Sequence, residues 1–215
     1  MKFRIVDLTA EMYDGAPTMP MDPKMSVAPH CTLDTLGYNL ARVTFSTHQG
    51  THMDVPYHFF DDGYTLSELD LSRMVASAFL VDLTRKQPGE AIEPEDLIPY
   101  EDLIAAGLCP ILNTGWYKVF PKPRFFADFP YISCALADWL AEKKVKLIGM
   151  DMPTPNGRDW QYVHRKLLGN DCLIVEGLTN LDAIGEKTFT LSALPLKLKK
   201  RDGSPVRAVA MLPEE

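Results

Sequence analysis

Three of the five histidines in this 215-residue chain, His48, His52 and His58, fall within eleven residues, and Asp54 lies between the last two. Two imidazoles and a carboxylate that converge make the donor set of Zn²⁺ or, with more oxygen ligands, Mn²⁺. A helix would bring His48 and His52 to one face. Gly50, the β-branched Thr51 and Val55, and Pro56 all oppose helix here. In extended chain, positions 48, 52, 54 and 58 share parity and lean to one side of a strand and its continuation. Gly50 permits the turn that draws His48 toward His52. Histidines satisfied by backbone carbonyls would account for one such residue. Three of them, with an interleaved aspartate and apolar flanks, point to a metal site.

Two later residues are candidates to join this cluster. His164 stands in Val163-His164-Arg165-Lys166-Leu167, and Glu176 ends the apolar run 172–175. A carboxylate at the exit of a buried strand must be paired, hydrogen-bonded or metal-bound, and the ends of strands are where α/β folds build sites. On spacing alone, a helix-surface histidine and a simple salt bridge explain the two residues equally well. Met19, Tyr57, Phe59, Phe60 and Trp116 could line an apolar substrate cavity, or serve as core or interface. Cys31, Cys109, Cys134 and Cys172 are scattered without a C-x-x-C pair. The neighbours His30 and Cys31 are not expected to form a nucleophilic pair, because adjacent side chains rarely face each other.

The elements that must position these groups follow from periodicity. Residues 3–8 read as a strand. Pro17, Pro20 and Pro23 make 13–24 an ordered loop or crossing arm. Period-two alternation over 38–47 predicts a long half-buried strand. Helices are expected at 66–76, 94–106 and 132–144, and strands at 78–83, 110–114, 146–150, 172–175 and 206–211. Interleaved strands and helices indicate an α/β architecture.

Composition bounds the partners. With 22 Lys and Arg against 29 Asp and Glu the net charge is −7, and the only basic cluster is Lys197, Lys199, Lys200 and Arg201, so nucleic acid is not an expected partner. An apolar fraction of 46% supplies a core. No run approaches the roughly 18 apolar residues of a membrane span, and the first residues lack a signal-peptide core. A cytoplasmic protein with no membrane partner is expected, as one catalytic domain over residues 1–215.

The pattern H-x-G-T-H-x-D-x-P-x-H-F over residues 48–59 resembles the signature of the cyclase family that includes bacterial kynurenine formamidase and isatin hydrolase. Further blocks follow in the family's order: the proline-rich loop at 16–23, 113–116, 149–153, 164–168 with 174–178, and 194–198 through 203–208. The resemblance implies a swivelling β/β/α domain, a mixed sheet or flattened barrel flanked by helices. It implies a metal-dependent hydrolase of a small formamide or cyclic amide, with Zn²⁺ or Mn²⁺ as cofactor, in one or two ions per subunit. It also implies that His48, His52 and Asp54 bind a first metal and that Asp54, His164 and Glu176 bind a second, with Asp54 and Glu176 bridging. His58 is implied as the proton donor and acceptor, and a homodimer or homotetramer as the assembly. Where kynurenine formamidase has a tryptophan in the proline-rich loop, this chain has Met19, a possible substrate contact, so the ring or chain it accepts is expected to differ. The alternative among enzymes is a cyclase or isatin/lactam-type hydrolase with the same metals and a different ring substrate; from another class it is a non-catalytic metal-dependent small-molecule binding protein, against which the intact ligand set and His58 both speak.

Overall fold

The computed structural model describes residues 2–213. Its strands are β1 (Phe3–Asp7), β2 (Ser26–Cys31), β3 (Leu40–Thr44), β4 (His52–Asp54), β5 (Val75–Asp82), β6 (Ala91–Ile92), β7 (Cys109–Asn113), β8 (Tyr131–Ile132), β9 (Leu147–Met150), β10 (Leu173–Glu176), β11 (Thr188–Ser192), β12 (Gly203–Pro205) and β13 (Val209–Pro213). Its helices are α1 (Leu33–Leu36), α2 (Pro94–Leu97), α3 (Glu101–Ala105), α4 (Cys134–Glu142) and α5 (Trp160–Gly169). Nine strands form one mixed, strongly curled sheet in the order β1-β13-β11-β5-β7-β9-β10-β4-β12. The centre, β5-β7-β9-β10, is parallel, and both wings are antiparallel.

The parallel strands read as nearly continuous apolar runs because both of their faces are covered. Their alternation sorts side chains into two cores. Ala78, Ile111, Leu147, Leu173 and Val175 pack with Val6, Leu191 and Ala210 from the antiparallel wing. Phe79, Val81, Leu112, Ile148 and Ile174 face the other way, against Leu136 and Leu140 of α4 and Val163 and Leu167 of α5. The Ser133 hydroxyl caps α4 by accepting from the Leu136 N–H at 3.0 Å.

Among the differences between the structure and the periodicity reading, four bear on the sheet and its connections. The expected helix at 66–76 is a single 3-10 turn, Leu71–Met74, because Val75 already begins β5 and pairs with Ser192. The expected helix at 94–106 is broken: Pro99 sits in a 3-10 turn, Ile98–Tyr100, that separates α2 from α3, since proline has no N–H to donate and its ring crowds the preceding turn. The strand expected to be half-buried at 38–47 is β3, which pairs only with β2 and is exposed along its whole length. Strand β11 was not among the expected elements, although Thr-Phe-Thr-Leu-Ser alternates and buries Phe189 and Leu191. Among the described residues no helix is long and apolar enough to cross a membrane.

Candidate metal centre

The site grows from one register. Strand β4 lies antiparallel to β10 with His52 opposite Glu176 and Asp54 opposite Ile174. Alternation along β4 buries Met53 in the core shared with Val175, so His52 and Asp54 project together onto the face that Ile174 and Glu176 share. On that face lies α5, whose apolar stripe Val163, Leu167 and Leu168 packs against the sheet. His164 is on the same buried side of the helix. The helix-surface reading of His164 is therefore set aside: it is 4% exposed.

His48 arrives from the turn before β4, where its N–H donates to the Ser46 hydroxyl at 3.1 Å. Gly50 has a φ of +62°, which suits glycine. Strand β12 then brings Gly203 directly opposite Asp54. A Cβ at Gly203 would stand 2.8 Å from His48 Cε1, so only glycine leaves room for the imidazole.

Each buried imidazole has its outer nitrogen tied. His52 Nδ1 donates to the Gly50 carbonyl at 2.9 Å, and His164 Nδ1 to the Trp160 carbonyl at 2.7 Å, which directs both Nε2 lone pairs inward. His48 is reversed. Its Nε2 meets Asp202 Oδ2 at 2.6 Å and its Nδ1 faces Asp54 Oδ1 at 2.9 Å. On the inner side, His52 Nε2 is 3.6 Å from Asp54 Oδ1 and 3.2 Å from Glu176 Oε2, while His164 Nε2 is 3.8 Å from Asp54 Oδ2 and 3.4 Å from Glu176 Oε1. Each carboxylate thus places one oxygen toward His52 and the other toward His164, and His48 joins on the His52 side of Asp54.

None of these inner approaches is a well-directed hydrogen bond. Both oxygens of Asp54 and Oε1 of Glu176 are buried without a hydrogen-bond partner. Burial opposes the charge on Asp54, yet His48, His52 and His58 hold its carboxyl well below the usual range. Burial and Asp54 oppose the charge on Glu176, and His164 and His52 hold it ionised. Burial lowers the His48 pKa, but Asp54 and Asp202 more than reverse this and carry it up to about 10. Two enclosed anions with orphaned lone pairs, ringed by imidazoles whose inner nitrogens converge on them, form a cavity for positive charge, and the mixed N/O donors suit a divalent metal. His52, Asp54 and Glu176 offer ligand atoms within 4.8 Å of one another, and so do His48, Asp54 and His58.

The family model described as "Putative cyclase" matches residues 6–156. The chain belongs to this family. It is 30% identical over 208 residues to a kynurenine formamidase of Bacillus cytotoxicus, covering 95% of each chain. It is 32% identical over 209 residues to one of Erythrobacter litoralis, covering 96% of this chain and 93% of that one. Its fold superposes on a potential metal-dependent hydrolase with cyclase activity at a TM-score of 0.80, with 25% identity and full coverage of both chains. It also superposes on an isatin hydrolase bound to thioisatinate at 0.89, with 23% identity over 99% of this chain and 93% of that one.

In this cyclase-family chain His58 follows β4 in a 3-10 turn, Pro56–His58, with its ring 4.0 Å from that of His48. Phe59 stacks on His164 at 4.7 Å and 14°, and meets His58 edge-on. Met19 and Phe59 line the open cleft of about 420 Å³ before the histidines. The other proposed wall residues lie elsewhere. Trp116 is buried, its Nε1–H donating to the Phe125 carbonyl at 2.8 Å, Tyr57 is exposed, and Phe60 packs against Gly169 in the helix-side core. The cleft wall is completed by Trp160, Thr154 and Asn156, and beyond Met19 a narrow recess is walled by Phe120, Phe125 and Phe126.

Sequence reasoning missed these aromatics, because nothing in the spacing of 116–129 marks them apart from ordinary core. It also missed Asp202. Its one signal is position: it immediately precedes the Gly203-Ser204-Pro205 strand that flanks β4.

Proposed function

We propose that residues 1–215 act as one metal-dependent hydrolase domain that opens a small formamide or cyclic amide with water, in the manner of the kynurenine formamidases it is similar to. The observation that carries this reading is the set of orphaned, buried carboxylate oxygens on Asp54 and Glu176 faced by the inner nitrogens of His48, His52 and His164. His48, His52 and Asp54 would hold a first ion, Zn²⁺ or Mn²⁺, and His164 with Glu176 and the second oxygen of Asp54 a second. A divalent ion so held polarises the amide carbonyl and acidifies water.

The chain's own residues supply the rest. His58 lies beside the donor set with its side chain 27% exposed, open to the cleft. Imidazole is the side chain suited to taking a proton from attacking water and returning it to the departing nitrogen. The C–N bond breaks, the acyl carbon keeps the water oxygen, and the amine leaves with the proton that His58 carried. Met19, Phe59 and Trp160 offer an apolar rim for a ring. The same donors would also serve a second substrate, an isatin-like lactam, and Met19 in place of tryptophan alters the wall either ring would meet. For the assembly, the exposed arm of α1, β2 and β3, with Leu33, Leu36, Tyr38, Leu40 and Val43 uncovered, supports a homodimer or homotetramer.

The test is metal analysis of His52→Ala and His58→Ala beside the wild type, with assays on N-formylkynurenine, isatin and simple lactams. Both variants are expected to lose turnover by at least 100-fold, general acid–base catalysis contributing about 10²–10⁴, and only His52→Ala to lose bound metal. Equal metal loss in the two would overturn the division of roles, and a metal-loaded wild type inert toward every amide would overturn the hydrolase reading.

A further inference from the structure

We propose that Asp202 is the positioning residue of this centre, a single carboxylate that fixes the tautomer of His48 and orients His58. It comes from the turn before β12, far along the chain from the histidine motif, yet it is strapped to that motif at both ends. The Thr47 hydroxyl donates to its two carboxylate oxygens at 3.3 Å each, and its backbone carbonyl accepts from the Val55 N–H at 3.1 Å. Within that brace Oδ2 stands 2.6 Å from His48 Nε2 and 3.5 Å from His58 Nδ1.

The need for such a group follows from the reversal of His48. A neutral imidazole carries its hydrogen on either nitrogen, and only the bare nitrogen can ligate. For His52 and His164 the choice is local: carbonyls two and four residues back, Gly50 and Trp160, take the Nδ1–H. His48 presents Nδ1 inward, and the group that takes its Nε2–H is Asp202. Without that acceptor the hydrogen is free to move to Nδ1, where it would point at Asp54 Oδ1, 2.9 Å away, and occupy the lone pair meant for the ion. The same oxygen faces His58. The two rings lie 4.0 Å apart and 32° from parallel, each turning one nitrogen to the carboxylate. With its Nδ1–H so aimed, His58 has Nε2 left bare for the proton transfer. This second half rests on the hydrolase reading above, and the first does not.

The experiment compares Asp202→Asn, Asp202→Glu and Asp202→Ala with wild type, using Zn²⁺ and a competing chelator, histidine ¹⁵N NMR, and turnover at saturating metal on an amide that the wild type hydrolyses. Loss of a group that orients a metal-bound histidine costs about 10–100-fold in metal affinity. Asp202→Ala is expected at the upper end, Asp202→Asn at the lower end because its amide oxygen still accepts, and Asp202→Glu between Asp202→Asn and wild type. With Zn²⁺ bound, wild-type spectra are expected to show one His48 form, with hydrogen on Nε2 alone, and the alanine variant a mixture of the two tautomers. At saturating metal, kcat is expected to stay at least tenfold low in Asp202→Ala with KM within threefold of wild type. Added metal does not restore the aim of His58. Affinities within twofold of wild type together with a single His48 tautomer in the alanine variant would overturn the role at His48. Weakened metal binding with wild-type kcat at saturation would overturn the role at His58. A wild type that hydrolyses no amide removes the hydrolase reading, while affinity and spectra still decide the part played at His48.

Discussion

Asp151 is a fully buried carboxylate outside the metal centre, just past the end of β9. Its Oδ1 accepts from the Thr114 N–H at 3.1 Å and the Thr114 hydroxyl at 2.7 Å, while Oδ2 has no donor. Burial pushes this carboxyl up from 3.8 to about 6 against those hydrogen bonds. A displacement of about 2 pH units corresponds to about 3 kcal/mol. Between pH about 4 and 6 the folded protein holds a proton that the unfolded chain has released, so stability falls as pH rises through that window. The contribution is complete below the unfolded pKa and gone above the folded one. Asp151→Asn keeps the acceptor for Thr114 and removes the titration. Its amide nitrogen occupies the position that lacks a donor, and whatever that costs does not vary with pH. The difference in unfolding free energy, variant minus wild type, is therefore expected to climb by about 3 kcal/mol from pH 4 to pH 7. Urea unfolding of both metal-free proteins at half-unit steps measures it, and titrations of the shared histidine cluster cancel in the difference. Parallel curves, within about 0.5 kcal/mol across the range, would show that burial does not hold a proton on Asp151 and would refute the reasoning.

Two further perturbations probe how the site is held. Gly203→Ala places a methyl 2.8 Å from His48 Cε1 and 2.8 Å from the Met53 carbonyl, and both lie on rigid neighbours. A loss of roughly 1–3 kcal/mol in stability is expected together with weaker metal binding, and an unchanged Tm with wild-type chelator competition would contradict the close packing over β12. Phe59→Leu removes the ring stacked on His164 and edge-on to His58. It is expected to cost about 0.5–1.5 kcal/mol beyond the lost area, seen in thermal unfolding, and to lower kcat at saturating metal through a looser His58. Wild-type kcat and Tm in that variant would count against the stack as a support.

The parts of the centre legible in the sequence are those fixed by local chain geometry. His52 and Asp54 share a face because β4 is a strand, and Gly50 both turns the chain and supplies the carbonyl that sets the His52 tautomer. Only His52–Asp54 is strand, however. His48 and His58 reach the centre from a turn and a 3-10 turn, so shared parity described two of the four residues and happened to agree for the others. The central parallel strands were equally readable, because burial on both faces makes them apolar throughout. The 66–76 and 94–106 segments misled, since helical spacing of apolar residues says nothing of a partner strand such as β11 or of the break that Pro99 imposes.

What sequence spacing could not supply is set by contacts between distant segments. Spacing alone did not join His164 and Glu176 to the cluster; the pairing of β4 with β10 places Glu176 opposite His52, and the packing of α5 on the same face brings His164 over both carboxylates. The position of Asp202 before Gly203 is a weak mark, since an aspartate before a glycine is the ordinary chemistry of a turn. Its distinction is that His48 turns Nε2 outward where its two companions turn Nδ1, and has no carbonyl of its own to receive it. Local sequence can settle a ligand whose orientation the neighbouring backbone dictates. An imidazole whose outer nitrogen meets a carboxylate 154 residues away gains that partner only when β12 is laid along β4.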